Sequence, residues 1–119
     1  MSRRQPAHAL ILPVVLLPLT ALLAGCGGVK QTVAVTATAD KCTLEKTTFD
    51  AGKTKFTIEN DSGEELEAYV YTAEGKFVNE VEHIADGTSR AMTVKLDAGD
   101  YEFACKPEGD DNRTPFTVS

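Results

Sequence analysis

Period-two alternation of apolar and polar residues, glycine-bearing breaks at short intervals and one Leu-x-x-Gly-x-Tyr run predict an all-β Greek-key β-sandwich. Val33 and Val35 alternate with Ala34 and Thr36, and Phe56 and Ile58 with Lys55, Thr57 and Glu59. Met92, Val94 and Leu96 alternate with Thr93 and Lys95. Tyr101, Phe103 and Cys105 share one face with Glu102 and Ala104 on the other, and Phe116 and Val118 close the set. Successive strand side chains point to opposite faces, so half-buried strands write this pattern. The breaks are Asp50-Ala-Gly52, Asn60-Asp-Ser-Gly63, Ala73-Glu-Gly75, Ala85-Asp-Gly87, Asp97-Ala-Gly99 and Pro107-Glu-Gly109. That spacing suits short strands of a sandwich, not helices alternating with strands. Leu96-Asp-Ala-Gly-Asp-Tyr101 has the form of a tyrosine corner, whose hydroxyl bonds back to upstream backbone and pins a Greek-key crossover. A plain hairpin with a core tyrosine is the competing reading, and Gly99 supplies the bend in either case.

The first residues belong to export, not to the fold. Arg3 and Arg4 are followed by an apolar run from Ala9 to Leu23, which ends in Leu23-Ala24-Gly25-Cys26. That ending is a lipobox, in which Cys26 takes a diacylglycerol before cleavage in front of it. A membrane-spanning helix is the competing reading, but the run is short and carries Pro13 and Pro18. The expected organisation is a lipoprotein signal peptide over 1–25, a lipidated tether over 26–31 and one domain over 32–119. At ~3.3 Å per residue such a tether keeps the domain within about 20 Å of the bilayer. The expected location is the outer face of the cell membrane or the periplasm.

Charge narrows the partners. The chain carries a formal −6, and loss of Arg3 and Arg4 with the leader makes the remainder more acidic. An acidic surface excludes nucleic acid as a partner. It also repels anionic lipid, so the acyl chains on Cys26 are expected to make the membrane contact. Nothing in the composition calls for an oligomer, and a monomer is expected.

Cys26 is used by lipid, which leaves Cys42 and Cys105. In an oxidising compartment such a pair defaults to a disulfide. Closing that loop constrains the unfolded chain by roughly 4 kcal/mol in the chain-entropy model, a large help to a small domain. The same sulfurs could instead serve as thiolate metal ligands. The two uses compete, and the bridge is the expected one, because exported thiols without a metal oxidise.

Cys105 ends an alternating run and is followed by a polar loop and a last short strand, as a copper cysteine is in a cupredoxin sandwich. A type 1 copper site also needs two histidines and a weak axial ligand. His83 is the one histidine beyond the leader, and it reads as solvated or near a turn; Met92 reads as core. No type 1 copper site is expected. Neither a Ser/His/Asp arrangement, nor a phosphate-cradling glycine loop, nor a Cys-x-x-Cys is present, so the chain reads as a non-enzyme.

Several stretches together carry a resemblance: Val33-Ala-Val-Thr-Ala-Thr38, Lys41-Cys-Thr-Leu44, Asp50 through Asn60, Leu66-Glu67, Ile84 through Arg90, and Leu96 through Cys105. In their order they resemble the N-terminal cupredoxin-like domain of EfeO-type iron-uptake proteins, over about residues 32–119. The resemblance implies a role in capturing iron, with copper as a second cargo, beside an iron permease or a peroxidase-type partner. Family members add a helical metal-binding domain, so uptake by this stretch alone is not implied. Residue by residue the match offers Glu67, Cys42 and Cys105 as metal ligands. A carboxylate at position 67, in place of a strand histidine, favours harder cations such as iron. Glu64, Glu65, Asp110 and Asp111 could add oxygens, although acidic residues in turns are ordinarily just solvated. The expected function is a lipid-anchored domain that binds or hands on iron or copper. Its rival is a metal-free envelope binding module stabilised by the disulfide.

Overall fold

A computed structural model describes residues 28–106 and 112–119. The expected leader, the expected lipidation site Cys26, and Asp110 and Asp111 therefore lie outside the described residues. Strands β1 (Gln31–Thr38), β2 (Cys42–Leu44), β4 (Gly52–Asp61) and β7 (Ser89–Leu96) form one sheet in the order β2-β1-β4-β7. Strands β3 (Thr48–Phe49), β5 (Leu66–Thr72), β6 (Phe77–Ile84), β8 (Gly99–Lys106) and β9 (Arg113–Val118) form the other, in the order β3-β9-β8-β5-β6. The β1/β4 and β3/β9 pairs are parallel and the rest antiparallel. This is the expected all-β sandwich. No helix among the described residues is long and apolar enough to cross a membrane. The strands, the core and the disulfide described here all lie between Gln31 and Ser119, so a chain starting at Cys26 carries the whole of this fold.

The inward faces are the ones that the alternation marks. Val33, Val35, Phe56, Ile58, Met92, Val94 and Leu96 are buried from one sheet, and Phe103, Phe116 and Val118 from the other. Phe56 sits at the centre, with its ring centroid 5.1 Å from Phe103, 5.8 Å from Phe116 and 6.1 Å from Phe49. Burying a large apolar side chain stabilises by ~2–3 kcal/mol, and edge-to-face contacts add to it. Ala104 lies on the face opposite Phe103 and Cys105, as the alternation expects, yet it is 1% exposed, because its register partners Tyr69 and Arg113 carry long side chains over that face.

Two local devices fix the ends. The Tyr101 hydroxyl donates to the Asp97 carbonyl at 2.8 Å, so the Leu96–Tyr101 run is a tyrosine corner. At the opposite end Asn60, wholly buried, joins two turns. Its side-chain amide donates to the carbonyls of Ile84 (2.8 Å) and Glu64 (2.6 Å), and its Oδ1 accepts from the Ser62 amide (2.9 Å). Its backbone N–H donates to Thr88 O and its carbonyl accepts from Gly87 N–H. Gly87 has φ 74°, a conformation that glycine adopts at no steric cost, which brings its amide onto Asn60.

The edges are treated differently. β3 pairs with β9 only at Thr48–Thr117 and Phe49–Val118, so the outer edge of β9 from Arg113 to Phe116 lies beyond it. Thr117 and Ser119 direct their amides outward, to Thr47 and Phe49. Two residues back along the strand, Pro115 has its nitrogen on that same side and no hydrogen to offer.

Cys42 and Cys105 form a disulfide with Cα atoms 5.8 Å apart and a sequence separation of 63. Cys42 opens the three-residue edge strand β2 instead of sitting in a loop, and Cys105 lies in β8, so the bond joins the two sheets. Thr114 Oγ1 reinforces the junction by donating to Cys42 O at 2.6 Å. Replacing both cysteines with alanine should lower the unfolding free energy by ~4 kcal/mol and steepen its dependence on denaturant, because the released chain exposes more surface. Equilibrium denaturation of the oxidised protein and the double variant measures both effects. An unchanged midpoint would remove the bond from the stability argument.

Candidate functional site

The described residues with the most chemistry gather where β5 begins, beside the disulfide. On β5, Leu66, Ala68 and Val70 point into the core, which turns Glu67, Tyr69 and Tyr71 outward. Glu67 lies opposite Lys106 of β8 and the Ala68 that follows it lies opposite Cys105. On the other side the register jumps: Leu66 faces Ile84 but Ala68 faces Val81. Glu82 and His83 therefore bulge out of the ladder opposite Glu67. Bulges re-aim side chains, and His83 pays with a left-handed φ of 55°.

The bulge gives His83 a carboxylate. Its Nδ1 lies 2.9 Å from Glu65 Oε1, and its Nε2 lies 3.9 Å from Glu82 Oε2. The Glu65 hydrogen bond, and then its charge, raise the His83 pKa above 6.5. The ring is 72% exposed, as a solvated histidine should be. Glu67 accepts a hydrogen bond from the Tyr69 hydroxyl. That bond, followed by burial, raises the Tyr69 pKa well above the ordinary phenol range, so the hydroxyl stays a donor. Lys106 Nζ lies 5.0 Å from the Tyr69 ring centroid and Arg113 Cζ 4.5 Å from that of Tyr71. Arg113 also pairs with Glu102 at 3.2 Å. A cleft of about 250 Å³ opens between Glu65, Leu66, Glu67 and Lys106.

The three residues taken as possible ligands do not act as one set here. The disulfide occupies the sulfurs of Cys42 and Cys105, and only Glu67 keeps oxygen lone pairs to offer. Among the described residues no three His, Cys, Asp or Glu side chains converge as metal ligands. Type 1 copper does not fit these residues: its thiolate is bonded to another sulfur, and the histidine at hand is an exposed ring held by Glu65. Sequence reasoning passed over Glu65–His83 and Tyr69. The period-two spacing of Glu67, Tyr69 and Tyr71 was the available signal for the tyrosine, whereas the bulge that brings up His83 leaves no mark of its own.

A sandwich of this topology, with a cysteine ending its penultimate strand, is matched by the family model of the cupredoxin-like domain over residues 10–118, and the chain belongs to that family. Within the family its likeness is to EfeO-type domains. It is 39% identical over 98 residues to the iron uptake system component EfeO of Escherichia coli K12 and of Shigella flexneri, covering 82% of this chain. The match spans 26% of the length of those curated relatives. Among solved structures, auracyanin B superposes with a TM-score of 0.65 at 15% identity, over 79% of this chain and 92% of that one. Dithionite-reduced auracyanin from Roseiflexus castenholzii gives 0.59 at 14% identity, over 77% and 99%. At such identities the likeness is one of fold alone.

The Glu65 contact has a pH signature. A histidine whose folded pKa is raised favours folding most at acidic pH, and that contribution fades as pH rises through the folded midpoint. In an NMR titration the His83 ring should show a midpoint above 6.5 that falls in Glu65→Gln. A midpoint indifferent to Glu65 would mean that the pair does not persist in solution.

Proposed function

We propose that this chain is a lipid-anchored extracytoplasmic domain that works beside an EfeO-type iron uptake system and takes metal ions, iron first and copper second, as cargo. The observation that carries the reading is the 39% identity to EfeO across 82% of the chain. Charge supports it. The end that holds Glu64, Glu65, Glu67 and the Asp86 turn is rich in carboxylates, and an acidic end concentrates cations from solution. Oxygen donors there suit iron better than a soft thiolate site would. The pairing of Glu65 with His83 leaves Glu67 and the cleft beside it as the favoured point of entry. The domain acts by binding, without catalysis, and as a monomer. Its anchor is the acylated Cys26, and its partner a permease or a peroxidase-type protein of the same system.

The rival is a metal-free envelope binding module stiffened by its disulfide, and the missing three-ligand group among the described residues favours it. Calorimetric titration separates them. With ferrous iron under anaerobic conditions, and then with cupric ion, the metal reading expects saturable binding that Glu67→Gln weakens about tenfold, the loss of ~1.4 kcal/mol. No heat with either ion leaves the metal-free module.

Anchoring has its own test. In cells the protein should partition with membranes and Cys26→Ser should move it to the soluble fraction. A variant that stays with the membranes would refute lipidation at Cys26.

A further inference from the structure

The outer face of the four-stranded sheet changes sign along its length. The register sets Lys53 of β4 directly opposite Lys95 of β7. Lys30, whose amide donates to Lys53 O at 2.8 Å, extends that row on the β1 side. The next row is Thr32, Lys55 and Thr93, and the one after it Ala34, Thr57 and Ala91. Beyond these the same face turns acidic, at Glu59 and then Asp61. Adjacent strands lie ~4.8 Å apart, so the lysines crowd into a patch only about 10 Å wide. The neighbours of the lysines along the strands are alanine and threonine, and Glu45 closes the third row on the β2 side, where its carboxylate accepts from the Ala34 N–H at 3.1 Å. Asp50 and Asp97 lie in the turns beyond the strand ends.

The place of the patch identifies its occupant. The chain enters β1 through Lys30, four residues after Cys26, so the lysines lie at the tethered end of the domain. We propose that this lysine-bearing half of the sheet face rests on anionic phospholipid headgroups, a contact that builds on the lipid-anchored reading above. The acyl chains supply the affinity and the lysines the orientation. Each lysine near such a surface contributes about fivefold to the partition. Glu59 and Asp61 repel the same surface, which tips the opposite end, with Glu65 and Glu67, away from the bilayer. The charge of the whole chain conceals this division: the acidic total that argues against lipid contact is not spread evenly over the surface.

The test uses residues 26–119, with Cys26 coupled to a maleimide lipid in vesicles while Cys42 and Cys105 remain bonded. One vesicle set is phosphatidylcholine, the other equal parts phosphatidylcholine and phosphatidylglycerol. A brief pulse of amine-reactive ester, read by peptide mass spectrometry, reports each lysine. On the anionic vesicles Lys30, Lys53, Lys55 and Lys95 should react about fivefold more slowly relative to Lys41, at the far end of β1. High salt should abolish the difference. Lys55→Glu combined with Lys95→Glu should restore the reactivity of Lys30 and Lys53. Equal reactivity on the two vesicle types, or protection that ignores salt, overturns the proposal. Because the coupling is chemical, either result leaves the Cys26→Ser fractionation to decide the anchor by itself.

Discussion

The bond between Cys42 and Cys105 is the constraint on which the acidic end of this sandwich depends. β2 is three residues long and hydrogen-bonds to β1 on one side only, a ladder too short to hold an edge by itself. The disulfide ties it to the middle of the other sheet, at a residue flanked by β5 and β9. The two sheets cannot then slide or part at that end, and the Phe56 cluster packs against walls of fixed spacing. Asn60 adds the polar counterpart: one buried amide satisfies the carbonyls of two separate turns. Leaving those carbonyls without a donor would cost ~1–3 kcal/mol each.

The covalent link also settles what the cysteine at the end of the penultimate strand does here. In a blue-copper centre a thiolate at such a position needs histidines around it. In this protein its partner is another sulfur, and the carboxylates stand outside, on the solvent face of β5 and in the bulge of β6. The sulfurs are thus spent on each other inside the sandwich, and the charged side chains of this end stand on its surface.

Most of the fold was legible because the strands that flank the core are half-buried and alternate cleanly, as at Phe56–Ile58 and Met92–Leu96. Leu96, Gly99 and Tyr101 announced the corner because its geometry is local. β6 was not legible. It is an edge strand, its Phe77 is 54% exposed, and the bulge at Glu82–His83 breaks its period. The site followed the same division. Glu67 and the cysteine pair could be read from spacing and resemblance, but the approach of His83 to Glu65 depends on a register slip between strands 18 residues apart in sequence. Nor does composition show that lysines and carboxylates occupy opposite ends of one sheet face; that requires the β1/β4/β7 register.

Pro115 carries a consequence for the domain at high concentration. Where copies crowd together, collisions between them are frequent. An exposed strand margin under those conditions invites neighbours to stitch together into a growing ribbon. The outer margin of β9 meets that hazard with an imino acid at the spot where an approaching backbone would seek a proton. Crowded copies can thus collide while that flank resists the first step of polymerisation.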